Sequence, residues 1–230
     1  MRNVCLMYLM VAALLVAFVP AHAVTLHEDV SYWYEDGDDI LTIRNPAPDW
    51  LAGNMPTGRV LVRVQQTVYD PVSTFSILKR NGDGESHPGY LYSYSVTNLN
   101  VGDPDDLTDM GITKFAVNWG ITPAYVTIAR HASLGWAVDD DSPAKPAWKW
   151  TGTGEGILPG NTVGGFWAVA NVGTDRWVNA SVIHAVGIDL RTLPGETSGP
   201  TPEAPTFLSL AAGIVGLGVV RRTRRRHAGT

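Results

Sequence analysis

The sequence predicts an all-β fold, an antiparallel β-sandwich, and three observations carry that prediction. Between its two ends the chain divides into short segments that alternate apolar and polar residues, the period-two spacing at which successive side chains leave opposite faces of a strand. Clusters of Gly, Pro, Asn and Asp separate those segments, as turns require. No amphipathic helix of any length is expected between the two ends, so the crossover helices that join parallel strands are missing from the pattern.

The first element is a secretory leader, residues 1-23. Arg2 supplies a positive start, Val4 to Val19 an apolar stretch, and Ala21-His22-Ala23 a small-x-small cleavage site, so Val24 is the expected first residue after export. The one cysteine, Cys5, lies inside this leader. The exported body, residues 24-199, is therefore expected to form no disulfide and to depend on its core, for which one domain of this length suffices. Setting aside Arg2 and the five tail arginines leaves 11 basic residues, and setting aside Glu203 leaves 21 acidic ones, so the body carries about −10. A charge of that sign opposes attraction to nucleic acid or to anionic lipid.

The strands follow in order. In Arg59 to Gln65, Val60, Val62 and Val64 share one face and Arg63 and Gln65 the other. Tyr90 to Asn98 puts three tyrosines and Val96 on a common face. Ile112 to Trp119 repeats the pattern through Phe115, Val117 and Trp119, and the segments 124–129, 165–171 and 176–188 read the same way. Expected turns are Asn81-Gly82-Asp83-Gly84, 98–109, 139–143 and Pro159-Gly160-Asn161.

Motifs for catalysis are sparse. The body histidines show no His-x-x-x-His or His-Glu-x-x-His spacing, which excludes a zinc site built from one local segment. His184 falls in line with Val178, Val182 and Val186 and is expected to be a core residue. There is no Gly-x-Ser-x-Gly elbow, and the Gly-rich run 152–156 lacks the lysine and helix of a phosphate-binding loop, leaving a mobile loop as its reading. Catalytic and cofactor residues are therefore none. Acidic turns, Asp36 to Asp39, Asp103, Asp105, Asp106 with Asp109, and Asp139, Asp140 and Asp141, offer oxygen ligands suited to weak extracellular Ca²⁺, and the same residues populate turns through side-chain to backbone bonds alone. Trp148 and Trp150 flank Lys149, and on a strand they share a face. That pair suits stacking on a sugar ring, and equally suits burial in a core.

The chain closes with three parts in sequence, residues 200-230. Pro200, Pro202 and Pro205 hold an extended approach around Pro202-Glu203. Residues 207-220, Phe207 to Val220, carry no charge and form an apolar helix that reaches roughly 21 Å, short of a bilayer's hydrocarbon core of about 30 Å. Arg221, Arg222, Arg224, Arg225 and Arg226 then stop translocation and keep their end cytoplasmic. An ordinary membrane anchor has the same parts.

This order of parts resembles the PEP-CTERM sorting signal, the substrate tag of exosortase processing enzymes, with Ala204 where the family pattern usually has a second Pro. A second resemblance lies in Tyr92-Ser93-Tyr94-Ser95-Val96-Thr97-Asn98 with Ile112 to Phe115, and in Ile157-Leu158-Pro159-Gly160 with Gly165-Phe166-Trp167, which look like strands of PEP-CTERM ectodomains. The resemblance implies an exosortase-like partner, transient membrane attachment through residues 207-220, and a non-enzymatic place at the cell surface or in exopolysaccharide and biofilm matrix. The alternative is a carbohydrate-binding module, or a glycan-acting enzyme using exposed tryptophans with a pair of carboxylates.

Overall fold

The computed structural model describes residues 23–47, 59–83, 87–99, 111–130, 135–139, 144–186 and 189–201. Within them the elements are β1 (Thr25–Asp36), β2 (Asp39–Arg44), β3 (Arg59–Tyr69), α1 (Pro71–Asn81), β4 (Tyr90–Asn98), β5 (Ile112–Val117), β6 (Tyr125–Ile128), β7 (Trp136–Val138), β8 (Ala147–Trp150), β9 (Thr162–Ala170), β10 (Asp175–Val186) and β11 (Asp189–Pro200). They form a six-stranded sheet in the order β2-β1-β3-β4-β9-β6 and a five-stranded sheet in the order β11-β10-β5-β8-β7. Every strand pairing described is antiparallel. Among the described residues no helix is long and apolar enough to cross a membrane. The apolar segment 207-220 lies outside them.

One core joins the two sheets. Val62, Val64, Tyr92, Tyr94, Val96 and Phe166 from the first meet Phe115, Val117, Trp148, Val178 and Val182 from the second. Polar tips of the large side chains tie the sheets together. Trp33 Nε1 donates to Glu196 O at 2.9 Å, Tyr94 Oη to Ser198 O at 3.0 Å, and Trp148 Nε1 to Thr127 O at 3.0 Å. The expected faces of β4 and β5 hold: Tyr92, Tyr94, Val96, Phe115, Val117 and Trp119 all enter the core. His184 is fully buried on the face of β10 that also carries Val178 and Val182. In β3 a register shift opposite Trp33 and Tyr34 changes the pattern, because Leu61 joins Val62 and Val64 in the core where period two alone would place Val60.

The helix α1 overturns the expectation that the body contains none. Asp70 caps it, accepting from Val72 N at 2.8 Å and Ser73 N at 3.0 Å, with Pro71 at the first helical position. Gly82, at φ +85°, closes it in the left-handed conformation. The Asn81-Gly82 pair is thus a helix terminus as well as a turn. No apolar stripe announces α1 because its buried positions are Ser73, Thr74, Leu78 and Asn81, mostly polar. Thr74 Oγ1 accepts from Leu91 N at 3.0 Å, and Leu78 packs with Leu91 and Val169 on the outer face of the six-stranded sheet.

Asp70→Ala is expected to cost about 1 kcal/mol, the usual loss of an N-cap. Burial opposes ionisation of Asp70, but the hydroxyl and backbone N–H of Ser73 and the N–H of Val72 outweigh it and hold the carboxyl below its ordinary range. A lowered pKa means the extra stability is present above the unfolded value near 4 and is lost as pH falls through the folded value. Urea midpoints of the two proteins should therefore differ more at pH 7 than at pH 3.

The Gly-rich run is held at its two ends, and residues 152–155 between them are exposed. Ile157 and Ile112 exchange backbone hydrogen bonds at 3.0 and 2.9 Å, and Gly152 N donates to Gly135 O at 3.2 Å. Gly156, at φ +72°, passes so close that a Cβ there would lie 2.2 Å from Ile112 O.

Candidate functional site

A groove of about 720 Å³ opens where β9 meets the end of β8. Its walls carry two half-buried tryptophans. Trp167 stands on β9 opposite Ser93 of β4, and its indole N–H donates to Ser93 Oγ at 3.0 Å. Trp150 ends β8, donates to Gly154 O at 3.2 Å, and packs edge-on against Trp136 with ring centroids 5.9 Å apart. Gly164 and Gly165 leave the space between, and Asn161 and Thr162 add neutral polar groups. Among the described residues no carboxylate lines the groove. Such a surface can stack on a sugar ring and hydrogen-bond hydroxyls.

Trp148 and Trp150 do share a face of β8, but their surroundings separate them. Trp148 is completely enclosed, stacked on Phe115 at 5.5 Å and flanked by Phe166 and Tyr94. It offers no ring face to a sugar, so burial is the outcome for Trp148, and of the expected pair Trp150 alone lines the groove, beside Trp167. Sequence spacing could not choose, because exposure on β8 is decided by what lies across the core.

Of the calcium candidates, Asp139 is buried, with both carboxylate oxygens taken. Lys114 Nζ lies 2.5 Å from one and Lys149 Nζ 3.2 Å from the other. The β5–β8 register sets those two lysines side by side. Two ammonium groups neutralise this carboxylate without an ion. Asp36 and Asp39 close the β1–β2 hairpin across Gly37-Asp38 and face solvent. Asp103, Asp105, Asp106, Asp109, Asp140 and Asp141 lie outside the described residues, as do Pro202, Glu203 and the five arginines 221–226 of the sorting motif.

A third cluster has no counterpart in the sequence reading. His27 and Asp29 project from one face of β1, two residues apart, and meet Asp175 at the start of β10 in the other sheet. One ligand atom of each lies within 4.8 Å of the others. His27 Nε2 is 2.8 Å from Asp175 Oδ2 and, although buried, makes no hydrogen bond of proper geometry. Asn45 Nδ2 donates to Asp29 Oδ1 at 2.6 Å. Asn45 itself sits at φ +42° and is fastened to Val30 through both its N–H and its side-chain oxygen.

The two carboxyls titrate in opposite directions. Burial opposes ionisation of Asp29, but hydrogen bonds from Asp175 and Asn45 and the nearby imidazole prevail and hold it below the ordinary range. Burial and the hydrogen bond to Asp29 push Asp175 up. Two facing carboxyls oppose each other's ionisation, so the second to lose its proton is the harder one. The His-x-Asp spacing on a strand was the available signal, but Asp175, 146 residues after Asp29, could be joined to it only by the fold.

Comparison with protein-family models, with curated protein sequences and with solved structures finds no match for this chain.

Proposed function

We propose that the chain is an exported, non-enzymatic surface or matrix protein, a β-sandwich handed by its C-terminal tag to an exosortase-like enzyme. The observation that carries this reading is the tripartite run Pro202-Glu203, residues 207-220 and Arg221 to Arg226. Its placement supports the reading. β11 ends at Pro200, and Thr201 N donates to Thr174 O at 2.8 Å, so the motif begins one residue beyond the last backbone hydrogen bond described. A processing enzyme needs an extended, reachable segment there, followed by an apolar stretch held at the membrane. Association with exopolysaccharide or biofilm follows from the resemblance to PEP-CTERM proteins.

Glu203→Ala tests the tag. Its charge lies outside the apolar stretch and matters only to a recognising enzyme, so the variant should be exported normally and accumulate unprocessed. Replacing Arg221, Arg222, Arg224, Arg225 and Arg226 by Ser should instead release unprocessed protein past the membrane, because the stop is gone. Normal processing of both variants would contradict the reading.

The groove favours a second reading, a carbohydrate-binding module. A glycan array on the protein and on Trp167→Ala decides it. Binding to a neutral polysaccharide that the substitution abolishes supports the module, and no binding to any glycan removes it.

A further inference from the structure

We propose that His27, Asp29 and Asp175 bind a zinc-class divalent cation that clamps β1 of the six-stranded sheet to β10 of the five-stranded sheet. The donor set is one imidazole and two carboxylates, which suits zinc and its borderline neighbours better than Ca²⁺, a cation served by oxygen ligands. The spacing fits as well. Two donors each about 2.1 Å from one ion sit about 3.0 to 3.4 Å apart. The gap of 2.8 Å between His27 Nε2 and Asp175 Oδ2 opens to that value with a shift of a few tenths of an ångström.

A buried nitrogen points to a missing partner. His27 Nε2 already lies against Asp175 Oδ2, without hydrogen-bond geometry, so the orphan is on Gln66. Gln66 stands opposite Asp29 in the β1–β3 ladder and is fully buried. Its Oε1 accepts from Ser198 Oγ at 2.7 Å, but its Nε2 has no acceptor. Carboxylate and water oxygens gathered around an ion would provide acceptors for that amide.

The charge arrangement differs from that at Asp139. Asp139 carries two lysines, whereas no lysine or arginine pairs with Asp29 or Asp175 among the described residues. Asn45 already holds Asp29 from behind, the outer support that metal-binding carboxylates commonly have. The place is mechanically apt. Asp175 lies opposite Pro200, so the ion would fasten the two sheets at the end from which the chain leaves the body. A body without cysteine has no disulfide to do this.

The test uses the full chain without a histidine tag, stripped with a chelator and titrated with Zn²⁺, Mn²⁺ and Ca²⁺ by calorimetry and thermal unfolding. One zinc per chain is expected, with Tm rising by about 5 to 10 °C at a concentration 100 times Kd. His27→Gln and Asp175→Asn should each weaken zinc at least about 100-fold, beyond the loss typical of an outer support, with far-ultraviolet circular dichroism unchanged. X-ray absorption of the zinc-loaded wild type should show one imidazole among oxygen donors, which keeps the test decisive if a variant fails to fold. No zinc binding, binding that survives both substitutions, a shell of several imidazoles, or Ca²⁺ bound as tightly as zinc would overturn the proposal.

Discussion

Trp148→Ala should be the most damaging single substitution in the body, costing about 3 to 5 kcal/mol. The indole is fully enclosed, stacks on Phe115, touches Phe166 and Tyr94, and donates to Thr127 O. Truncation leaves a cavity between the sheets and a carbonyl without its donor. Trp150→Ala, on the same strand face but at the groove, removes a half-buried ring and should cost clearly less. Urea unfolding of the two variants measures the contrast. Equal losses would mean that the two rings are buried alike.

Tyr94→Phe should follow, at about 2 to 3 kcal/mol for the groups it orphans. The Tyr94 hydroxyl accepts from Trp119 Nε1 at 2.9 Å and donates to Ser198 O at 3.0 Å, all inside the core. A pH signature accompanies this loss. Burial pushes the Tyr94 phenol well above its ordinary value, against a smaller opposing effect of the Trp119 bond. Burial, with the charge of Asp175, pushes Tyr92 up too. Folded pKa values above the unfolded one mean that this stability is complete below about pH 10 and is lost as pH rises further. The slope should approach about 1.4 kcal/mol per pH unit for each tyrosine. Tyr94→Phe should remove one tyrosine's share of it, as urea midpoints between pH 9 and 11.5 would show.

These residues also mark how far the sequence could be read. Tyr94 and Phe115 were legible as core because β4 and β5 alternate cleanly and bury only one face there. β1 and β11 were not assigned. β1 buries Ser31, Tyr32 and Trp33 in succession, which hides the alternation. β11 carries Pro194, Gly195, Gly199 and Pro200, a composition that reads as turn and is tolerated because β11 is an edge strand. The helix α1 escaped because its contact face is polar, although Asp70-Pro71 and Asn81-Gly82 marked both ends.

The candidate sites divide on the same physics. Trp150 and Trp148 could be placed on one face, but exposure depends on the opposite wall, which local spacing does not contain. Trp167 was read only as part of a strand, and the groove beside it arises from Gly164 and Gly165 together with a neighbouring loop. The His27 cluster needs two sheets to exist at all. Asp139 looked like one more acidic turn residue until the β5–β8 register brought two lysines to it.

In the proposed pathway Pro202-Glu203 directs cleavage and the body then leaves its membrane tether. Intact-mass measurement of the protein isolated from its native host tests it most directly. The expected mass corresponds to a chain beginning at Val24 and ending near Pro202-Glu203, without residues 207-220 or the arginines. A mass that retains Arg221 to Arg226 on correctly localised protein would contradict the claim and leave the C-terminal segment a plain membrane anchor.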